Sequence, residues 1–198
     1  RAILRQDPDV ILVGEMRDLE TISSALTAAE TGHLVLATLH ANDAVQAIDR
    51  IIDVFPAHQQ AQARAMLASA LLGIVSQRLL QRKEATGRIA AFEILLGNSA
   101  VRAQIRDEKL HQIISTMERS AGEGMVTMDN AMKQLYLKGQ IRYEDAIRYM
   151  RNPKVLRPPS AASAPPSPPS LPPSAQHPTP KRSDSKPPPP GRRFPWSR

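Results

Sequence analysis

The stretch LRQDPDVILVGEMRD, Leu4 to Asp18, decides how this chain folds. Val10 to Val13 are four uninterrupted apolar residues, and Gly14 and Glu15 follow at once. A short apolar run halted by glycine reads as a buried strand of a parallel sheet. Asp7–Pro8–Asp9 sets a turn in front of it, because the residue before a proline avoids the helical region. Open α/β sheets carry their chemistry just past the carboxyl ends of their strands. Glu15 therefore stands where a carboxylate can meet a metal–phosphate group.

The neighbouring sequence alternates between the two periodicities. Leu19 to Glu30 reads as a helix, with Asp18 as its N-cap and Gly32 at its end. His33 to Thr38 reads as a second buried strand. Asn42 or Asp43 then caps a helix to about Val54, which Phe55–Pro56 breaks. A long helix is predicted from about His58 to Ser76. It takes in AMLASALLGIV, Ala65 to Val75, as a buried segment. Strand–helix–strand–helix order implies parallel strands joined by right-handed crossovers. Two short β runs follow, Gln77 to Leu80 and Ile89 to Leu95, which pair as a hairpin and could extend the sheet. After Asn98 the pattern is helical only: AVRAQIRDEKLHQII, then MDNAMKQLYLKG ending at Gly139, then YEDAIRYM. Arg1 to Arg5 is a helix remnant or a loop lead-in.

Composition narrows the class. With 41% hydrophobic and 23% charged residues, the 198-residue chain fits a soluble cytoplasmic protein. It has no cysteine, which excludes disulfides and thiolate zinc sites. No apolar run approaches the roughly 20 residues of a membrane span. No signal peptide is visible, but the chain starts at Arg1 rather than methionine, so that says little.

The formal charge of +7 is unevenly placed. Residues 157–198 hold seven Lys or Arg against Asp184 alone, so the tail carries +6 and the body +1. The basic balance thus argues for no nucleic-acid interface. The same tail contains 15 of the 18 prolines. Proline removes backbone donors and little apolar surface remains to bury, so the tail reads as disordered with polyproline II stretches. It is a docking arm (PSPPSLPP as a groove ligand, the basic end for acidic lipid), a plain spacer, or translation out of frame.

The first stretch, read with its neighbours, resembles the secretion-type ATPases that drive type II secretion and type IV pili, and within them the pilus retraction motors. The resemblance continues through TAAETGHLVLATLHANDA (Thr27 to Ala44), AIDRIIDVFP (Ala47 to Pro56) and SQRLL (Ser76 to Leu80). It goes on through GRIAAFEILLGNSAVRAQIRDEKL (Gly87 to Leu110) and GEGMVTMDNAM (Gly122 to Met132). The blocks cover most of residues 1 to about 150, in the family's order. The resemblance implies an α/β fold: the C-terminal part of a RecA-like P-loop ATPase core over 1–97, with a parallel sheet and flanking helices. A helical lobe follows over 98–156, and the Pro-rich tail over 157–198. The absence of cysteine favours retraction motors over the extension and type II secretion ATPases, which often carry a four-cysteine zinc module in this region.

The resemblance also assigns roles. Glu15 becomes the Walker B glutamate, holding Mg²⁺ through water beside ATP and polarising the attacking water. His40, in TLHANDA, becomes a sensor of the γ-phosphate and a neighbour of Glu15 across adjacent strand ends. The family often has Thr after this histidine where the chain has Ala41, which removes a hydroxyl but leaves His40 in place. Arg17 senses phosphate or pairs with a nearby acid; Asp18 is a cap or a catalytic group; Thr38 bonds phosphate-bound water or satisfies a strand end. His33, His58 and His111 have no partner pattern and read as structural or surface residues. AVRAQIRD, Ala100 to Asp107, resembles the retraction motif AIRNLIRE, with Ala103, Gln104 and Asp107 among its departures. Arg102 and Arg106 share one helix face there, Ile105 packs inward, and the resemblance implies that they couple hydrolysis to retraction.

One part of the family pattern is absent. The chain has no G-x-x-x-x-G-K-[ST], whose amides and lysine hold the β and γ phosphates. In the family this motif lies upstream of the Walker B strand, so the chain reads as the C-terminal part of a motor, a fragment or a truncated copy, inactive alone. The implied whole is a homo-hexamer that hydrolyses ATP at the cytoplasmic face of the inner membrane. It works on the pilus platform, peripheral to the membrane and without nucleic acid. Two alternatives stay open: an ATPase-dead module that joins hexamers of an intact homologue, and an extension or secretion ATPase.

Overall fold

Val10–Val13 (β1) and Leu34–Ala37 (β2) pair in parallel, with Val10 opposite Leu34 and Val13 opposite Ala37. The computed structural model describes residues 8–84 and 86–158. The expected lead-in at Arg1–Arg5 and the tail from residue 159 onward lie outside the described residues. Between β1 and β2 runs Leu19–Glu30 (α1). Its N-cap is Asp18, whose carboxylate accepts from the Thr21 amide at 2.8 Å. Gly32 follows the helix at φ +99°, the left-handed conformation that closes a helix end.

Ala44–Asp53 (α2) begins at Asp43, whose carboxylate accepts from the Gln46 amide at 2.9 Å. Ala57–Ala70 (α3) follows the Phe55–Pro56 break. The helix predicted to reach Ser76 therefore stops six residues early, and residues 73–76 open a strand. Two non-local contacts cause this. The Arg102 guanidinium donates to the Leu71 carbonyl at 3.1 Å and to the Ser69 carbonyl, occupying acceptors at the helix end. Gly97 also packs so close that a Cβ there would collide with the Leu71 carbonyl. Leu71 accordingly turns extended, with ψ 118°.

Gly73–Gln81 (β3) and Arg88–Leu96 (β4) form the predicted hairpin, antiparallel and longer than the apolar runs suggest. Among the described residues it is a sheet of its own, and it does not extend β1–β2. One face turns inward through Leu80, Ala91, Glu93 and Leu95; the other leaves Val75, Leu79 and Phe92 exposed. Ser99–Arg106 (α4) starts at the Asn98 cap. The helical run predicted from Ala100 to Ile114 is broken after Arg106. Glu108 adopts φ 59° there, and Leu110–Gln112 makes one 3₁₀ turn before Ile113–Arg119 (α5). Met128–Leu137 (α6) and Tyr143–Ile147 (α7) complete the helices, and Pro153–Val155 forms a final 3₁₀ turn.

Two apolar clusters hold these elements. The larger joins Ile22, Leu26, Ile48, Ile52 and Leu67 to Leu95, Val101, Ile105, Ile113 and Met117. The smaller packs Leu80 and Ala91 against Met128, Met132, Ile141, Ala146 and Met150. β4 contributes to both, Leu95 to the first and Ala91 to the second.

Candidate active site

The site is built where β1 and β2 end side by side. Parallel neighbours finish at the same edge, so their outgoing loops meet. The Met16 amide donates to the Thr38 carbonyl at 3.0 Å, and the Thr38 hydroxyl donates to the Gly14 carbonyl. These bonds stitch the two loops together. Thr38 thus satisfies a strand end.

Glu15 lies at the centre. Its Oε1 is 3.0 Å from His40 Nε2 and 2.5 Å from Arg17 Nε. The short contact to the Arg17 guanidinium holds the Glu15 carboxyl below the usual carboxylate range. Burial opposes this, and the charges of Arg17 and His40 add to the lowering. The same contact strengthens the protonation of Arg17. Oε1 is shielded from solvent and faces both of these side chains. The Glu15 side chain is 27% exposed, against 79% for His40 and 73% for Arg17. The carboxylate is fixed while the two cationic-capable groups reach outward. Together with Met16, Arg50 and Asp53 they line a cavity of about 420 Å³.

Asp18 accepts from both the Thr21 amide and the Thr21 hydroxyl, the latter at 3.0 Å, and so is engaged as a cap. His33 bonds the Ala28 carbonyl at 3.0 Å and the Thr31 hydroxyl at 3.1 Å, within the α1 terminus. His58 Nε2 sits 3.2 Å from Nε2 of the Gln59 side chain. Arg102, Ile105 and Arg106 are placed elsewhere, on α4 against the end of α3. Arg102 donates to the Gly97 carbonyl at 2.7 Å as well as to Ser69 and Leu71. Ile105 is fully buried and Arg106 is exposed.

Several residues that support the site escape a reading of the sequence. Arg50 on α2 donates to the His40 carbonyl. Arg78 on β3 donates to the Asn42 carbonyl at 3.4 Å. Arg151 pairs with Asp43 at 2.8 Å, and its own amide is held by Asp129 at 2.7 Å. Glu93 is 1% exposed, with both carboxylate oxygens engaged by backbone amides. Only Glu93 left a signal: it is the one acid inside the apolar strand RIAAFEILL, at an inward register position between Ala91 and Leu95.

The residues fit a magnesium–nucleotide group. Glu15 offers a hard carboxylate oxygen on the lining of the cavity, the donor type that Mg²⁺ takes. No cluster of three or more His, Cys, Asp or Glu suited to a metal exists among the described residues. Mg²⁺ is commonly held by one or two carboxylates plus substrate phosphates, and Glu15 is such a carboxylate.

Comparison with known proteins gives the family of the chain. The family described as "Type II/IV secretion system protein" matches residues 1–148. The type IV pilus retraction ATPase PilT of Pseudomonas aeruginosa is 49% identical over 154 residues, which are 78% of this chain and 44% of that protein. A twitching motility protein of Neisseria gonorrhoeae is 51% identical over 149 residues, 75% of this chain and 40% of its own length. The crystal structure of the pilus retraction motor PilT with bound ADP superposes with a TM-score of 0.70 at 50% identity, covering 78% of this chain and 43% of that one. The chain thus spans less than half the length of the relatives it matches. With a family match that spans about three quarters of its residues, and the same α/β fold as a solved member, this chain belongs to the type II/IV secretion system protein family.

Proposed function

We propose that this chain supplies the hydrolytic edge and the force-transmitting lobe of an ATP-driven motor that retracts type IV pili. The observation that carries the reading is the convergence of Glu15 and His40 at adjacent ends of a parallel strand pair, 3.0 Å apart. Glu15 holds Mg²⁺ through water and orients the attacking water. His40 faces the same oxygen and follows the terminal phosphate. Arg17 stands 2.5 Å from Glu15 and is placed to exchange that partner for a phosphate oxygen. Bound Mg²⁺ supplies charge neutralisation at the phosphates.

The remaining parts of the proposal follow the relatives. The assembly is a homo-hexamer seated on the platform of the pilus at the cytoplasmic face of the inner membrane. No described helix is long and apolar enough to cross a membrane, which suits peripheral attachment. Residues 1–97 form the partial ATPase core and 98–156 the helical lobe. Arg106, exposed on α4, is the lobe's contact for coupling, with Arg102 and Ile105 anchoring that helix. A second reading is an interaction module with no turnover of its own.

A chimera tests both. Residues 1–156 replace the matching part of the Pseudomonas aeruginosa relative in a strain lacking its own copy. Twitching together with ATP hydrolysis is expected. A ring that binds nucleotide without hydrolysing it establishes the inert module, and hydrolysis without twitching overturns retraction.

A further inference from the structure

We propose that Glu93 is a positioning residue for the Glu15–His40 site, acting through the turn that carries His40. The inference rests on the functional reading of that pair. His40 is 79% exposed in its side chain, so no packing holds its ring over Glu15. Its position is inherited from the backbone of the turn from His40 to Asp43, which Arg50, Arg78 and Arg151 hold from outside and the start of α2 anchors from below.

Glu93 sets that start. Its Oε1 accepts from the amide of Ala44, the first residue of α2, at 2.8 Å. Its Oε2 accepts from the amide of Met128, the first residue of α6, at 3.1 Å. The caps Asp43 and Thr127 already spend their oxygens on the amides of Gln46 and Asn130. The first-turn amides of Ala44 and Met128 are left over, and both residues are buried, at 0% and 5% exposure. A helix start carries unpaired donors and partial positive charge, so one buried carboxylate between two such starts satisfies both. It also makes the location of α2 depend on β4 and α6. Glu93 lies on the inward face of β4 between Ala91, in the smaller core, and Leu95, in the larger. Losing the Oε1 bond leaves the buried Ala44 amide unpaired, and its relief is a shift of the α2 start, which moves His40.

Glu93→Gln is the direct probe. The amide keeps the size but offers one acceptor where two are needed. In the chimera, turnover is expected to fall about tenfold or more, as when a group orienting a functional residue is lost. KM for ATP should change by less than about twofold, since the group acts only on the chemical step. The decisive measurement is a double-mutant cycle with His40→Ala. If Glu93 works through His40, Glu93→Gln costs nothing further once the imidazole is gone. Losses that add in full, with His40→Ala itself impaired, overturn the positioning role and leave the Glu15–His40 reading standing. Unchanged turnover in His40→Ala overturns both. Should Glu93→Gln fail to assemble, Glu93→Asp replaces it in the cycle, keeping the charge but one methylene short of spanning both amides. Failure of both variants to assemble assigns Glu93 to folding alone and overturns the proposal.

Discussion

Nε2 of His40 lies 3.0 Å from Oε1 of Glu15, although the two residues leave different strands. The register that pairs Val13 with Ala37 brings their loops to one edge, and the Met16–Thr38 backbone bond holds them there. A single carboxylate oxygen thus faces both an imidazole and a guanidinium on the lining of one cavity.

That geometry gives the first prediction. In the chimera, Glu15→Gln keeps folding and nucleotide binding but loses turnover by about 10²-fold or more, the usual cost of removing a group that stabilises developing charge. Nucleotide binding by calorimetry beside a phosphate-release assay checks it. Turnover near that of the parent sinks the assignment.

Asp18 offers a test by pH. The amide and hydroxyl bonds from Thr21 hold its carboxyl below the ordinary carboxylate range. A folded-state pKa that is depressed stabilises above the unfolded value, about 3.9, and the contribution is lost as pH falls through that value to the lowered one. Asp18→Asn keeps a capping oxygen without the charge, so it should flatten the acid limb of the thermal midpoint while costing less at pH 7 than Asp18→Ala. An acid limb unchanged in Asp18→Asn contradicts the assignment.

Arg102 and Arg106 share a helix face yet should behave differently. Arg102→Ala frees the half-buried carbonyls of Leu71 and Gly97 and the exposed one of Ser69, and should cost about 2 kcal/mol, the scale of hydrogen bonds from a charged donor. Arg106→Ala, at an exposed position, should change stability by no more than about 0.5 kcal/mol. In the chimera it should also spare hydrolysis and abolish twitching. Equal destabilisation by the two changes, or twitching retained in Arg106→Ala, refutes this division.

The last prediction concerns residues 1–198 alone. They carry no G-x-x-x-x-G-K-[ST], so neither tight MgATP binding nor hydrolysis is expected. Leu12 at 76% exposure, Leu36 at 51% and Val75 at 66% leave apolar strand surface open, which favours association. Calorimetry with MgATP and sizing chromatography read both. A monodisperse monomer that binds MgATP at micromolar concentration would overturn the expectation.

Much of the site was legible in the sequence because its determinants are local. Asp18 and Asp43 cap helices through amides three residues on, and a four-residue apolar run stopped by glycine is recognisable as a strand wherever it occurs. The TLHANDA block placed His40 at the end of the next strand, so its approach to Glu15 followed from parallel order alone. Other features were decided only by the tertiary structure. AMLASALLGIV has the composition of a helix, and it splits at Ala70 because Arg102 and Gly97 reach the end of α3 from beyond the hairpin. The helical run after Asn98 breaks where Glu108 turns left-handed and its carboxylate meets Arg64 at 2.8 Å. Glu93 shows the same division most plainly. Its donors, Ala44 and Met128, lie 49 and 35 residues away in the chain. Periodicity and capping report on neighbours within a turn or two, whereas a buried carboxylate is tolerated only where folding brings distant amides to both of its oxygens.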